Sequence, residues 1–197
     1  MKFSRLLLAL GLCLEVGGSS VRAKEVFRID PARSTIDFKV RHFLGTTTGR
    51  FTKFSGTIDL DRERPEESSV TATIQAASID TAIAKRDEHL RGEDFFNVQK
   101  FPEITFKSRH VKKTGPNAGE IDGDLTMHGV TRAITLRIQL VGSLESATKD
   151  RATRWRVTAA PIKRSEFGLV WSKSVEAISM IGEDVSINME IAAVKGP

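Results

Sequence analysis

The sequence predicts an all-β fold, an eight-stranded antiparallel barrel with a short helix near one mouth. Three observations lead there. Apolar and polar residues alternate with a period of two in run after run from Ser34 onward, which is the signature of strands with one apolar and one wet face. The runs number about eight and several are long, and an even set of long alternating strands favours a closed barrel because closure removes exposed edges. One segment in the middle leaves the two-residue period and carries helix punctuation instead.

The runs fall near 34–41, 50–61, 69–76, 103–113, 119–127, 131–142, 153–165 and 184–193, with a short additional strand at Val26 to Ile29. Ile36, Phe38 and Val40 alternate with Asp37, Lys39 and Arg41; Val70, Ala72 and Ile74 with Thr71, Thr73 and Gln75. Ile134, Leu136, Ile138 and Leu140 then alternate with Thr135, Arg137 and Gln139, and Val185, Ile187, Met189 and Ile191 with Ser186, Asn188 and Glu190. Thr114-Gly115-Pro116-Asn117-Ala118-Gly119 and His128-Gly129 read as reversals, and Arg62-Glu63-Arg64-Pro65-Glu66-Glu67 as a charged external loop. Asp80 or Thr81 is placed to cap a helix running from Ala82 to Arg91, with Gly92 to end it and Asp94 to cap a further short turn carrying Phe95 and Phe96.

The chain of 197 residues opens with a cationic start (Lys2, Arg5), an apolar stretch from Leu6 to Leu14 and a small-residue exit at Val21-Arg22-Ala23. This predicts a secretory signal peptide over 1–23, cut after Ala23; the apolar run is too short to span a bilayer. Cys13 also ends an apolar leader as in a lipoprotein, but Leu12 stands before it where a small residue belongs. Cleavage after Ala23 removes the single cysteine, so disulfides and thiolate metal sites are excluded and a core must hold the fold. The remaining 174 residues, 24–197, suit a single domain. The chain carries 30 Lys+Arg and 25 Asp+Glu; the leader takes three bases (Lys2, Arg5, Arg22) and one acid (Glu15), leaving 27 against 24 and a balance of +3. So mild a charge gives no argument for nucleic acid.

The inward positions are almost all Ile, Leu, Val, Phe and Met. An eight-stranded barrel is just wide enough to be filled by its own side chains or to hold one narrow ligand, and the pattern leaves both open. The eleven Phe and the absence of Tyr suit an apolar tunnel, since Phe offers a rigid wall without a hydroxyl to satisfy. Phe38, Phe51, Phe54, Phe95, Phe96, Phe101, Phe106 and Phe167 either line such a tunnel or plug it.

The polar residues show no catalytic constellation. His42, His89, His110 and His128 are the only histidines, and none lies at a local metal-ligand spacing, so no metal is expected. Asp122 and Asp124 share a strand face, as do Asp59 and Asp61, but they sit beside turns where Asp satisfies backbone amides. Nucleophile-elbow, phosphate-loop and zinc-hydrolase motifs are missing from the sequence, and the protein is not expected to be an enzyme. Arg86 and His89 share one face of the short helix, where they are placed to receive an anionic head group; in the alternative, Arg86 and Asp87 tie the helix to the barrel rim by hydrogen bonds. Lys39, Arg41, Lys107, Arg109, Arg132, Arg154 and Arg156 occupy outward faces; clustered at one rim they would favour transient contact with an anionic membrane surface.

The segments Ile29-Asp30-Pro31, Ser34-Thr35-Ile36-Asp37-Phe38-Lys39-Val40-Arg41-His42, Gly49-Arg50-Phe51 and Phe54-Ser55-Gly56 stand in order at the start of the domain. Arg86-Asp87-Glu88-His89-Leu90-Arg91-Gly92-Glu93-Asp94-Phe95-Phe96, Phe101-Pro102-Glu103-Ile104-Thr105-Phe106, Gly123-Asp124-Leu125-Thr126 and Arg164-Ser165-Glu166-Phe167-Gly168 follow them. Together they resemble the YceI-like family of lipocalin-like periplasmic proteins associated with polyisoprenoid binding. Arg33 stands where relatives often carry His, and the loop after His42, Phe43-Leu44-Gly45-Thr46-Thr47-Thr48, is shorter and poorer in aromatics than in some relatives.

The resemblance implies an extended lipocalin-like barrel that encloses a polyisoprenoid or similar long-chain amphiphile, such as a polyprenyl phosphate or isoprenoid quinone, with a polar head near the mouth. It implies a periplasmic carrier without a cofactor, and it leaves dimerisation open. The expected apolar cavity is formed by Phe38, Val40, Phe51, Phe54, Ile74, Phe95, Phe106, Leu125, Leu136, Ile138, Phe167 and Ile187, and the head-group candidates are His42, Arg86, His89 and Arg164. The competing readings are an envelope stress protein with a solid barrel and an enzyme acting on an isoprenoid-like amphiphile through His42 or the Asp122/Asp124 pair.

Overall fold

A computed structural model of the chain describes residues 24–42, 45–145, 151–170 and 181–196. The expected leader, with Cys13 and the Ala23 cleavage point, lies outside them. Twelve strands are present among the described residues: β1 Glu25–Ile29, β2 Thr35–His42, β3 Gly45–Phe51, β4 Phe54–Leu60, β5 Ser69–Gln75, β6 Ile79–Asp80, β7 Glu103–Gly115, β8 Ala118–Met127, β9 Val130–Glu145, β10 Arg151–Ala159, β11 Ile162–Lys163 and β12 Asp184–Lys195. A single α-helix, α1 (Ala84–Arg91), lies between β6 and β7.

These strands occupy eight positions around a closed antiparallel barrel. β1 and β2 are two halves of one position: β12 pairs with β2 through Val185↔Val40 to Glu190↔Thr35 and with β1 through Ala193↔Ile29 to Lys195↔Phe27. β3 and β4 form the next position, pairing back on β2 and β1, and β5 with β6 the third. β7, β8, β9, β10 and β12 follow as neighbours, and the β1–β12 pairing shuts the ring. Along β8 the buried residues Gly119, Ile121, Gly123 and Leu125 alternate with more exposed ones, as the period of two requires.

The first three positions are bent where their sequences interrupt pairing. Between β1 and β2, Pro31 has no N–H to give a ladder; the Asp30 carboxylate accepts from Ala32 N at 2.9 Å and Arg33 Nε at 2.6 Å, and Ser34 Oγ accepts from Ala192 N at 2.9 Å. Between β3 and β4, Thr52 N donates to Ser78 O at 3.1 Å, and Lys53 O accepts from Gln75 N at 2.9 Å. Residues 76–78 form a 3-10 turn beside that break. The run expected as one strand over 50–61 is therefore two, and Gly45 to Thr48, expected as loop, is strand. Three threonines among small residues are β-branched and strand-competent, but they give no apolar alternation to reveal it. The run expected over 153–165 ends at Ala159 and yields to β11 and a 3-10 turn over Arg164–Phe167.

The helix begins at Ala84 rather than Ala82, and no side chain caps it. Asp80 Oδ1 instead accepts from Ala82 N at 2.9 Å, a tight local turn that leaves Ala82 at φ 61°. Gly92 closes the helix as expected, its N–H donating to His89 O. The turn that carries Phe95 and Phe96 is tied by Phe95 N to Gly92 O and Phe96 N to Leu90 O, without Asp94 as cap. His128 (φ 52°) and Gly129 (φ 74°) make the two-residue reversal between β8 and β9, in which both residues need positive φ to match the strand twist. His128 Nδ1 lies 3.2 Å from Phe167 O, and its ring meets Phe101 edge-on with centroids 4.5 Å apart, so this turn is stitched to two distant segments.

Candidate functional site

A cavity of about 480 Å³ occupies the barrel interior, within the size range of small-molecule sites. The barrel is therefore not filled by its own side chains. Its wall is built from the inward members of the alternating strands: Ile36, Phe38 and Val40 from β2, Val70, Ala72 and Ile74 from β5, Ile104 and Phe106 from β7, Ile134, Leu136 and Ile138 from β9, and Ile187, Met189 and Ile191 from β12. Phe51 and Phe96 stand edge to face at 6.1 Å, and Phe95 and Phe96 at 5.2 Å, closing an aromatic corner beneath α1.

Eleven of the twelve expected cavity residues line this space: Phe38, Val40, Phe51, Phe54, Ile74, Phe95, Phe106, Leu125, Leu136, Ile138 and Ile187. Phe167 does not; it is fully packed at 1% exposure, behind the wall in the turn after β11. The lining also includes Ile29, Ile58, Ile121, Trp155 and Val157. The alternation marks these inward positions, whereas Pro65, Pro116 and Asn117, which reach the cavity from loops, carry no such mark. The Trp155 indole donates to Thr153 Oγ1 at 2.9 Å, so this large wall residue brings no unsatisfied polar atom inside.

Polar groups gather at the two ends. At the helix end the lining includes His42, Thr47, Thr81, Arg86 and Arg164; at the other end it includes Asp61, Arg62, Ser68, Lys112, Lys113 and Asn117. Arg164 is 3% exposed and holds backbone: Nη1 donates to Leu169 O at 2.8 Å, Nε to Gly182 O at 3.1 Å and Nη2 to Ile181 O at 3.3 Å, with Glu183 at 3.5 Å. Arg86 donates through Nε to Thr81 Oγ1 at 2.8 Å and through Nη2 to Thr81 O at 2.9 Å. Thr81 is itself held by the buried Asp87 carboxylate, which accepts from its N–H at 2.9 Å and from its hydroxyl. Arg91 grips the rim as well, through Ala77 O and Ile79 O at 2.7 Å each. His89 is outside the lining, with Nε2 3.8 Å from Asp94.

At the far end the loop after β4 is locked. Asp61 Oδ1 accepts from Glu63 N and Arg64 N at 3.0 and 2.8 Å, and these amides lower its pKa. Glu25 receives Arg62 Nε at 2.6 Å and Lys195 Nζ at 2.9 Å, and the two cations hold its carboxyl down at about 2.

Asp122 and Asp124 sit outside the cavity. Asp122 accepts from Thr135 Oγ1 at 2.5 Å beside His110, and Asp124 lies 3.6 Å from Arg109. Among the described residues no group of three His, Cys, Asp or Glu could hold a metal ion. The bases expected outside, Lys39, Arg41, Lys107, Arg109, Arg132, Arg154 and Arg156, are all exposed.

Comparison with known proteins agrees with this architecture. The family model described as a YceI-like domain matches residues 27–193. Protein YceI of Escherichia coli is 39% identical over 144 residues, covering 72% of this chain and 74% of that one. A UPF0312 protein of Pseudomonas aeruginosa is 39% identical over 137 residues, covering 68% and 71%. Among solved structures, the YceI protein of Campylobacter jejuni superposes with a TM-score of 0.67 at 29% identity, over 77% of this chain and 86% of that one. Two more distant structures share the fold. Burkholderia cenocepacia BcnA has a TM-score of 0.74 at 24% identity, covering 83% and 98%, and a polyisoprenoid-binding domain from Saccharophagus degradans has 0.65 at 18%, covering 88% and 100%. With a family model spanning nearly the whole described barrel and relatives of this identity, the chain belongs to the YceI-like domain family.

Proposed function

We propose that this protein is a periplasmic carrier that encloses one isoprenoid-type lipid, a polyprenyl phosphate or isoprenoid quinone, in its barrel. The observation that carries this reading is the cavity itself: about 480 Å³ bounded along its length mainly by aliphatic and aromatic side chains, with the charged groups of the described lining residues at its ends. Transfer of a hydrocarbon chain from water into such a space is favourable by roughly 25 cal/mol per Å² of apolar surface buried, so a long chain binds without strong head-group contacts. The polyisoprenoid-binding domain that shares the fold supports the ligand class. The leader-like start of the sequence supports secretion, and the expected exit point after Ala23 would release a soluble barrel. The reading favours binding over catalysis: of the two catalytic candidates, the Asp122/Asp124 pair lies away from the cavity and only His42 reaches its lining.

The test is to express the full chain, recover the protein from the periplasmic fraction, sequence its N-terminus and extract it with organic solvent. The expected results are an N-terminus at Lys24 and an isoprenoid in the extract identified by mass spectrometry. Protein retained in the cytoplasm, or an extract without isoprenoid together with no uptake of added polyprenyl phosphate or quinone, contradicts the reading.

A further inference from the structure

The cations around the cavity are not equivalent. Arg62 is neutralised by Glu25 at 2.6 Å, and Arg164 is spent on three backbone carbonyls and Glu183. Lys112 and Lys113 are exposed on long flexible stems. Arg86 differs from all of these. It lines the cavity, is half-buried, and has no carboxylate within 4 Å among the described residues.

Its position is fixed in advance. A guanidinium offers five N–H donors, and the two bonds to Thr81 orient the plane while engaging only two of them. Thr81 is 6% exposed and anchored by Asp87, whose carboxylate is bonded to the same Thr81 hydroxyl that accepts from Arg86. A cation beside an oily cavity without a counter-ion is an unfavourable arrangement that an anion relieves. The planar fork matches phosphate and carboxylate, and a side chain already ordered loses little entropy on binding.

Resting on the carrier reading above, we propose that the ligand's head group is an anion, a phosphate or carboxylate, seated on Arg86 at the helix-bearing mouth. The hydrocarbon runs from there into the barrel, past Phe38 and Phe96 toward Leu136. Thr81 and Asp87 are positioning residues for Arg86. Neutral isoprenoids enter the same cavity but lack this contact.

The test compares geranylgeranyl monophosphate, geranylgeranoic acid and geranylgeraniol by displacement of a fluorescent lipid from the wild type and from Arg86→Gln. The two anions are expected to bind about ten-fold or more tightly than the alcohol, and R86Q to remove that preference while the alcohol's affinity stays within about two-fold. The two anionic arms tell phosphate from carboxylate by their relative affinity. A wild type with no anion preference, or an R86Q that weakens all three ligands alike, overturns the proposal. Thr81→Val, which keeps the charge and the Nη2 bond to the backbone carbonyl but removes the hydroxyl that holds Nε, is expected to lose part of the preference and decides the matter if R86Q does not fold; an unchanged preference in it overturns the positioning role. Failure of all three ligands to bind the wild type removes the carrier reading too, whereas alcohol binding without preference removes only the anion seat.

Discussion

Phe38 on β2 stands directly across from Gly49 on β3, and a Cβ on Gly49 would collide with the Phe38 ring and approach Thr81 Cγ2 to 2.9 Å. The missing side chain is what lets the ring lie over the neighbouring strand while lining the cavity and meeting Phe51 at 5.7 Å. Gly49→Ala therefore forces Phe38 aside. The expected cost is about 1–3 kcal/mol, read as a lower denaturant midpoint, together with weaker lipid retention. An unchanged midpoint shows that the ring has room to give.

The two sides of the cavity wall respond differently to truncation. Phe167 is packed behind it at 1% exposure, so Phe167→Ala is expected to destabilise by roughly 3–5 kcal/mol. Phe38 already borders open space, so Phe38→Ala costs well under that and acts mainly on ligand retention. Chemical denaturation of both variants without ligand checks this; equal losses indicate that Phe38 is ordinary core.

Arg164→Ala takes this donor from three backbone carbonyls, that of Leu169 in a buried bond and those of Ile181 and Gly182 in half-buried ones. The expected loss is about 2–4 kcal/mol, and lysine does not restore it because a single ammonium cannot span the three acceptors. Thermal unfolding of R164A and R164K reads both effects.

Acid stability reports on the far end of the barrel. The folded-state pKa of Glu25 is lowered from 4.5 to about 2, first by its hydrogen bond to Arg62 and then by that to Lys195. A depressed carboxylate pKa adds stability above the unfolded value that is lost as pH falls through the folded one. The wild type is expected to lose this contribution between pH about 4.5 and about 2, and Glu25→Gln to show a shallower decline there. Asp30 and Asp61, also lowered, persist in both proteins, so the difference isolates Glu25. At neutral pH the variant loses roughly 1 kcal/mol or less, as suits a partly exposed ion pair. Identical acid profiles contradict the coupling.

Most of the wall was legible because inward positions repeat every two residues on long strands, and the alternation at Ile134 to Leu140 or Val185 to Ile191 leaves no other face for them. β3 was not legible, because Gly45-Thr46-Thr47-Thr48 has no apolar beat and becomes strand by pairing with β2. Phe167 reads as a wall residue in sequence, but the turn at Arg164–Phe167 takes it off the strand and out of the cavity. The separation of Arg164, held by carbonyls, from Arg86, held on one face only, is purely tertiary. Both are arginines in polar segments until the partners of each are seen.

The central claim is that a hollow barrel holds one lipid. Native mass spectrometry of the intact protein, gently purified and then mixed with geranylgeranyl monophosphate, tests it most directly. The account predicts a single added mass per barrel that saturates at one. A spectrum that stays at the bare polypeptide mass throughout the titration would contradict it.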